Sequence, residues 1–516
     1  MPVELSGGLL IYDWNILAAA FTPLVHVVFA LLGLSFVRQV DVYMNLFAGN
    51  AFLPVRPRCT SSVGFRLYRS FVQPMTAALN LLPATVPRLA IPTRNVFNIL
   101  TISLRFDEDD AFWWGVAGQP LACLFEQADY NVQVQFIHML FFYSRVLPYL
   151  GPRPSKTNKP FFKSFMTDDH TPVEISWVIH NGKLNVRYCV EPVGTIVDSE
   201  QLAALRMVHN LKHLMHDLDL RWFDILRDTL VSSSSHLQES TVVSTKHNSQ
   251  YFVGFDCDPS GHIKLKAYFL PEMKAAQTAL TKRELVTKAL ATIEPRLLTP
   301  WEEILGFFDK LPLELKPEIE FVATDCSPPE QSRIKVYVRT RSTTFVTVRQ
   351  FMTLSGQLKG SVVDDAIEAV EDLWRLVMGM DTSTPGWDNQ RLRPRMSADA
   401  TDDHLTGGLI FYFELRVDER RPFPKLYLPV RHYCSDDAAV ARGMESYYRS
   451  CGQLPFDTYV ETIQKTFGSH RSLGARTGIH TYVSLAIKKA DFEVTSYFNP
   501  EAYAAERVSA DVGSDQ

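Results

Sequence analysis

Cysteine is sparse in this chain. Its seven residues, Cys59, Cys123, Cys189, Cys257, Cys326, Cys434 and Cys451, stand far apart without one C-x-x-C pair. That spacing excludes a dense disulfide framework and the usual paired-cysteine zinc site, and it suits reduced thiols in a cytosolic protein. Basic charge is not in excess either: 52 Lys and Arg face 57 Asp and Glu, for a net charge of −5. A surface that tracks a phosphate backbone is therefore not expected, no nucleic-acid partner is expected, and any cationic cluster must be local. No P-loop, G-x-G-x-x-G or G-x-S-x-G stands between a strand and a helix, so the common nucleotide and nucleophile-elbow sites are missing. What remains is an ordinary globular composition, 46% hydrophobic and 21% charged over 516 residues, with ample material for a large core.

One segment lacks charge altogether. Residues 16–37 carry no acidic or basic side chain, and roughly 20 apolar residues span a bilayer. Glu4 and Asp13 precede the segment while Arg38, Arg56, Arg58, Arg66 and Arg69 follow it, so an anchor there would leave the rest of the chain in the cytosol. The acidic start disfavours a cleaved signal peptide. The alternative is a packing helix, since Thr22, Pro23, His26 and Ser35 dilute the hydropathy. Residues 1–105, dotted with Pro54, Pro57, Pro74, Pro83, Pro87 and Pro92, read as an N-terminal extension, and residues 106–516 as the main domain.

The main domain opens on Asp107-Glu-Asp-Asp110 and a run over 112–146 with apolar residues at helical spacing; acidic side chains suit a helix start. From about 170 the chain alternates strand pairs with helices. Strands are predicted near 172–179, 184–191, 250–257, 262–270, 318–325, 333–340, 407–417, 424–430, 478–488 and 492–498, and helices near 199–230, 272–292, 362–379, 436–450 and 455–467. The polar stretches 232–250 and 381–404 read as surface loops. Two-strand hairpins rule out a simple parallel sheet, and ten antiparallel strands suffice to close a barrel with a lumen. The predicted fold is α/β: an antiparallel ten-stranded barrel of repeated αββα units surrounded by helices.

Five of these strands repeat one pattern of cations and small polar groups around tyrosine. They read Asn-Val-Arg187-Tyr-Cys-Val, Lys266-Ala-Tyr268-Phe-Leu, Arg333-Ile-Lys335-Val-Tyr337-Val, Lys425-Leu-Tyr427-Leu-Pro and Thr-Tyr482-Val-Ser484-Leu. Side chains alternate faces along a strand, so Lys266 and Tyr268, or Arg333, Lys335 and Tyr337, project together. If the faces meet, they form a nest of cations rimmed by phenols, suited to a diphosphate. A single copy would be a solvated face with snorkelling cations. Glu174 lies mid-strand between apolar neighbours, where an unpaired carboxylate is costly to bury; a functional role or an ion pair with a barrel cation would account for it.

At these residues the chain resembles a known family. Leu150-Gly-Pro-Arg-Pro154, Ser164-Phe-Met-Thr-Asp-Asp-His-Thr-Pro-Val-Glu174-Ile-Ser-Trp177, Arg187, Lys266-Ala-Tyr268, Thr324-Asp-Cys, Ser-Arg333-Ile-Lys335-Val-Tyr337, Thr406-Gly-Gly-Leu and Pro424-Lys-Leu-Tyr427-Leu-Pro-Val-Arg-His-Tyr433 are similar, in order and spacing, to the fungal dimethylallyltryptophan-synthase-type aromatic prenyltransferases. The likeness runs from about 110 to 503 and does not cover the extension. It implies a barrel with the active site in its lumen and transfer of a prenyl group, without a metal or other cofactor, from dimethylallyl diphosphate to an aromatic acceptor. It further implies diphosphate binding by Arg187, Lys266, Arg333, Lys335 and Lys425, the last at a position where relatives also use an amide. Tyr268, Tyr337, Tyr427, Tyr482 and Tyr497 would serve twice, their hydroxyls donating to the diphosphate oxygens and their rings shielding the allyl cation, with Lys488 an outer cation of the same diphosphate site. Glu174 would accept a hydrogen bond from the acceptor's N–H or O–H, and Phe165 and Met166 would wall the aromatic pocket.

The resemblance leaves the acceptor open. Tryptophan-using relatives carry a Lys, a candidate rearomatising base, where this chain has Tyr251, itself expected beside the acceptor. No Arg stands between Leu297 and Ser332, where a clamp for a free amino-acid carboxylate would be sought, although Lys310 and Lys316 do; a larger or carboxylate-free acceptor is therefore in keeping with the sequence. The leading expectation is an indole or indole-derived alkaloid in specialised metabolism. The rivals are a polyketide-derived phenol such as a xanthone or naphthacenedione, and a catalytically silent barrel that binds a hydrophobic ligand. Membrane association through 16–37 and a homodimer are further expectations. His209, His213 and His216 fall on one helical face, but no further ligand cluster accompanies them and no metal site is expected.

Overall fold

The computed structural model describes residues 95–155, 158–180, 182–194, 200–215, 217–232, 247–394, 406–453 and 458–507. The chain divides into compact units at 1–107 and 108–516. In the first, the described part holds a helix, Val96–Ser103, capped by Asn95, whose side chain accepts from the Asn98 N–H. Residues 16–37 and His216 lie outside the described residues. Among the described residues no helix is long and apolar enough to cross a membrane.

Ten strands carry the second unit: β1 (Val173–His180), β2 (Lys183–Val190), β3 (Tyr251–Cys257), β4 (Ile263–Phe269), β5 (Glu318–Asp325), β6 (Ile334–Thr340), β7 (Leu409–Leu415), β8 (Phe423–Leu428), β9 (His480–Ile487) and β10 (Phe492–Phe498). Each pairs antiparallel with its neighbours in sequence, and β1 closes on β10, with Ile175 opposite Phe498. Closure leaves no sheet edge.

The outer face of the barrel is apolar and carries aromatic anchors to the helices. Trp177 of β1 meets Tyr459 at 5.5 Å, Phe255 of β3 meets Phe141 at 5.5 Å, Phe269 of β4 meets Phe223 at 5.3 Å, Phe411 of β7 meets Phe351 at 4.6 Å and Phe498 of β10 meets Phe467 at 4.8 Å between ring centroids. Such contacts add about 0.5–1.5 kcal/mol each beyond the area they bury. With the outer face committed to the helices, the alternate residues must face inward.

The helices differ from expectation where the backbone turns left-handed. The acidic run does start a helix, Glu108–Trp113, with Glu108, Asp109 and Asp110 in its first turn. The single run over 112–146 is instead broken: Asp129 sits at φ +54° and Asn131 caps a new helix, Val132–Phe141, by accepting from the Gln133 N–H. Likewise 199–230 divides into Glu200–Lys212 and Arg221–Leu230, and 272–292 into Glu272–Thr278 and Lys282–Ile293, the latter pair separated by Ala279 at φ +57°. Helices Leu298–Lys310 and Phe345–Thr353 were not anticipated.

Candidate active site

The inward-facing residues sort into three levels. At one end lie ionic groups in a ring that alternates in sign around the barrel. Arg187 on β2 faces Asp256 on β3 at 3.5 Å, and Asp256 accepts from Lys266 on β4. Asp325 on β5 holds Arg333, beside β6, at 2.6 Å, and Arg333 reaches Glu414 on β7 at 3.3 Å. Glu493 on β10 closes the ring, 3.1 Å from Lys488 and 3.7 Å from Arg187. The cations are those foreseen from sequence; the interleaved carboxylates Asp256, Asp325, Glu414 and Glu493 were missed. Burial opposes ionisation of Asp256, Asp325 and Glu493, but the facing Lys and Arg charges outweigh it and hold all three carboxyls below their usual range.

Two cations stand apart. Neither Lys335 nor Lys425 has a carboxylate within ion-pair distance among the described residues; Lys335 Nζ lies over the Tyr412 ring at 5.4 Å, and Lys425 Nζ donates to Tyr497 Oη at 3.0 Å and lies over the Tyr427 ring at 4.8 Å. Burial, then repulsion from Arg333 and Lys266, lowers the Lys335 ammonium to about 7. Burial likewise pushes Lys425 well below its ordinary value. Six cations against four carboxylates leave the ring two charges positive when both lysines are protonated, a surplus that attracts a diphosphate.

Above the ions lies a belt of phenols. Tyr337 is 6.2 Å from Tyr268, 5.2 Å from Tyr412 and 5.9 Å from Tyr427; Tyr427 is 5.4 Å from Tyr497 and 6.0 Å from Tyr482. Tyr412 was not named from sequence. Gly254 on β3 makes room for the belt, because a Cβ there would meet Cys189 Sγ at 2.9 Å and the Tyr268 ring at 3.1 Å.

The third level holds Glu174. A register shift opposite Tyr497 gives β9 one extra residue, so Thr481 and Tyr482, consecutive in sequence, both serve the lumen while His480 bonds Asp437 outside. Thr481 Oγ1 donates to Glu174 Oε1 at 2.7 Å. Burial raises the Glu174 carboxyl to about 7, opposed by that hydrogen bond and by the charge of Arg431. Met166, Phe252 and Leu270 pack as one cluster with Phe165, Tyr268 and Phe321 against it, and Phe252 stacks on Tyr268 at 4.4 Å. The wall foreseen in Phe165 and Met166 is therefore at this end.

Tyr251 is the correction. Its cross-strand partner is Phe269, which packs on the helix layer, whereas Phe252 pairs with lumen-facing Tyr268. Strand parity turns the Tyr251 ring outward, 6.4 Å from Phe269, and puts Phe252 where Tyr251 was expected. Among the described residues no group of three His, Cys, Asp or Glu gathers as a metal site, and the six described cysteines are free thiols.

Three motifs carried by the sequence only as marks of kinship meet at this mouth. Asp168, from the segment that leads into β1, binds Arg431 Nη2 at 2.6 Å and accepts from Thr406 Oγ1 at 2.8 Å, and Thr406 meets His432 Nε2 at 2.8 Å. Next to Thr406, Gly408 lets the chain entering β7 pass close to the end of β6: its φ is +86°, and a Cβ would strike the Thr340 carbonyl at 2.3 Å.

Comparison with known proteins agrees with this architecture. The profile of the tryptophan dimethylallyltransferase family matches residues 109–462. A 4-O-dimethylallyl-L-tyrosine synthase of Claviceps purpurea is 35% identical over 402 residues, covering 75% of this chain and 87% of the relative. A 7-dimethylallyltryptophan synthase of Aspergillus fumigatus is 27% identical over 449 residues, covering 81% and 91%. Among solved structures, AnaPT from Neosartorya fischeri superposes with a TM-score of 0.68 at 23% identity, covering 78% of this chain and 97% of that one, a likeness of fold. A silent ligand-binding barrel is thereby set aside: the chain belongs to the tryptophan dimethylallyltransferase family of aromatic prenyltransferases, and it is an enzyme.

Proposed function

We propose that the lumen transfers a dimethylallyl group from dimethylallyl diphosphate to an aromatic acceptor, with side chains in place of a metal at the leaving group. The observation that carries this reading is the sign-alternating ring in which, among the described residues, no carboxylate lies within ion-pair distance of Lys335 or Lys425. When the C–O bond of the donor breaks, the bonding pair stays with the diphosphate, and Arg187, Lys266, Arg333, Lys335 and Lys425 meet its charge. The allyl cation faces the belt of Tyr268, Tyr337, Tyr427, Tyr482 and Tyr497, whose ring faces attract it and whose packing excludes water. An acceptor against Phe165, Met166 and Phe252 presents its N–H or O–H to Glu174, which raises the electron density of the attacking atom. The proton lost after attack leaves toward the same carboxylate, the titratable group at that level whose ordinary state is poised near neutrality.

The leading acceptor is an indole or an indole-derived alkaloid of fungal-type specialised metabolism, in a reduced cytosolic setting. A phenolic hydroxyl is the second reading, favoured by the 35% identity to an enzyme named for 4-O-dimethylallylation of tyrosine. Incubation with dimethylallyl and geranyl diphosphates against indole and phenol panels, with mass spectrometry of the products, separates the two. Product only from phenols overturns the indole reading, and no product from either panel overturns the transfer itself.

A further inference from the structure

Two hydroxyls of the barrel wall have no part in the transfer described above. Ser484 of β9, a small polar group of the repeated strand pattern, and Thr495 of β10 stand directly opposite each other, and Ser484 is also opposite Tyr427 of β8. Tyr427 belongs to the phenol belt, and Thr495 alternates on its strand with Glu493 and Tyr497, so both side chains face inward. Both residues are 0% exposed, and neither Ser484 Oγ nor Thr495 Oγ1 has a hydrogen-bond partner among the described residues. Ser484 lies near Tyr497 Oη without reaching hydrogen-bond geometry. A buried hydroxyl left unmatched is costly, and wall packing alone would be served as well by alanine and valine.

Their height in the barrel restricts the ligand atom that matches them. On β10 the inward residues run from Glu493 in the ionic ring through Thr495 to Tyr497 in the phenol belt, and on β9 Ser484 stands between Lys488 of the ring and Tyr482 of the belt. The ions meet the diphosphate and the phenols face the allyl group, so the C1–O bond of the donor lies at the boundary between the two. Lys425 is on β8 and donates to Tyr497 Oη on β10 at 3.0 Å, so its side chain crosses β9 at this height. We propose that Ser484 and Thr495 are catalytic residues that donate hydrogen bonds to the bridging oxygen of the donor, the atom that leaves with the bonding pair. A bound diphosphate draws the Lys425 ammonium toward itself and uncovers the two hydroxyls. As the C1–O bond breaks, negative charge grows on that oxygen; the hydroxyls keep their protons, and their hydrogen bonds to it strengthen. They therefore act more on the transition state than on the bound donor. The proposal rests on the prenyl-transfer reading above, which supplies the donor.

The test uses the full chain carrying Ser484→Ala, Thr495→Val, the two combined, or Thr495→Ser. Turnover is measured with dimethylallyl diphosphate and an aromatic acceptor that the parent prenylates, and binding with inorganic diphosphate and with the donor analogue whose bridging oxygen is sulfur. Ser484→Ala and Thr495→Val are each expected to lower kcat about tenfold or more and to weaken inorganic diphosphate about tenfold. The sulfur analogue, a weak acceptor at the bridging atom, binds within about twofold of its affinity for the parent. Thr495→Ser keeps the hydroxyl and stays close to the parent in kcat. Without ligand, Thr495→Val melts no lower than the parent, because a methyl group of the same shape replaces an unmatched hydroxyl. A lower melting temperature in Thr495→Val, or loss of the sulfur analogue in step with kcat, assigns the hydroxyls to wall packing and overturns the proposal. An unchanged kcat in the combined variant also overturns it and leaves prenyl transfer standing. A parent that neither binds inorganic diphosphate nor forms product overturns both.

Discussion

Thr481 Oγ1 donates to Glu174 Oε1 across 2.7 Å, and the contact exists because β9 carries one residue more than β10 at that point. Burial lifts the Glu174 carboxyl to about 7 and Thr481 pulls it back. A carboxylate is needed to accept from the acceptor, so kcat/KM rises with pH through a limb centred near 7. Glu174→Gln removes the limb and lowers turnover by about 10²-fold or more, while titration with the donor shows unchanged affinity. Thr481→Val deletes a group that favours the charged form, so the limb moves to higher pH. A limb that stays put in Thr481→Val would separate it from Glu174.

Lys335 governs the pH dependence of donor binding. Its ammonium is lowered to about 7 by burial and by Arg333 and Lys266, and a bound diphosphate raises it. The charged form binds, so affinity is fullest below about 7 and falls as pH rises through that value; at about pH 8, binding takes up protons. Calorimetry of donor binding in two buffers of different ionisation enthalpy measures the uptake. Lys335→Met weakens the donor by about tenfold or more and reduces the uptake, the remainder arising from Lys425.

The carboxylates hold the unliganded ring together and compete with the diphosphate. Asp325→Asn leaves Arg333 with Glu414 alone, and thermal unfolding without ligand should show a loss of about 3 kcal/mol. Inorganic diphosphate then restores more stability to the variant than to the parent, because the ring has gained positive charge. Equal stabilisation of both proteins would deny the competition.

Tyr251 and Phe252 test the strand parity. Tyr251→Phe touches only the outer layer and should leave kcat/KM for the acceptor within about twofold, a surface-scale effect. Phe252→Ala removes a ring stacked on Tyr268 and raises the acceptor KM. The opposite ranking would put β3 in the other register.

The cations were legible because same-face spacing needs only a period of two: Lys266 and Tyr268 declare their common side from the sequence. The carboxylates were equally present as letters, yet Asp256 gains meaning only from facing Lys266 and Arg187, and such pairing depends on register between strands. Tyr251 failed for a related reason. The strand does begin there, but its parity is fixed by Gly254 lying opposite Lys266. Bulges hid two more lumen residues, since Glu320 beside Phe321 and Thr481 beside Tyr482 break the alternation that sequence reading relies on. The helix breaks at Asp129 and Ala279 are left-handed turns at residues other than glycine, which composition does not announce. Arg431 was visible within a motif, but its relation to Asp168 joins segments more than two hundred residues apart.

The most direct measurement is product formation from dimethylallyl diphosphate and the aromatic panel in excess EDTA, read by mass spectrometry beside Lys335→Met. Transfer of one dimethylallyl unit, undiminished by the chelator and reduced in the variant at limiting donor, is the result expected of a side-chain cage. Activity abolished by EDTA and restored by magnesium, or indifferent to Lys335→Met, would contradict it.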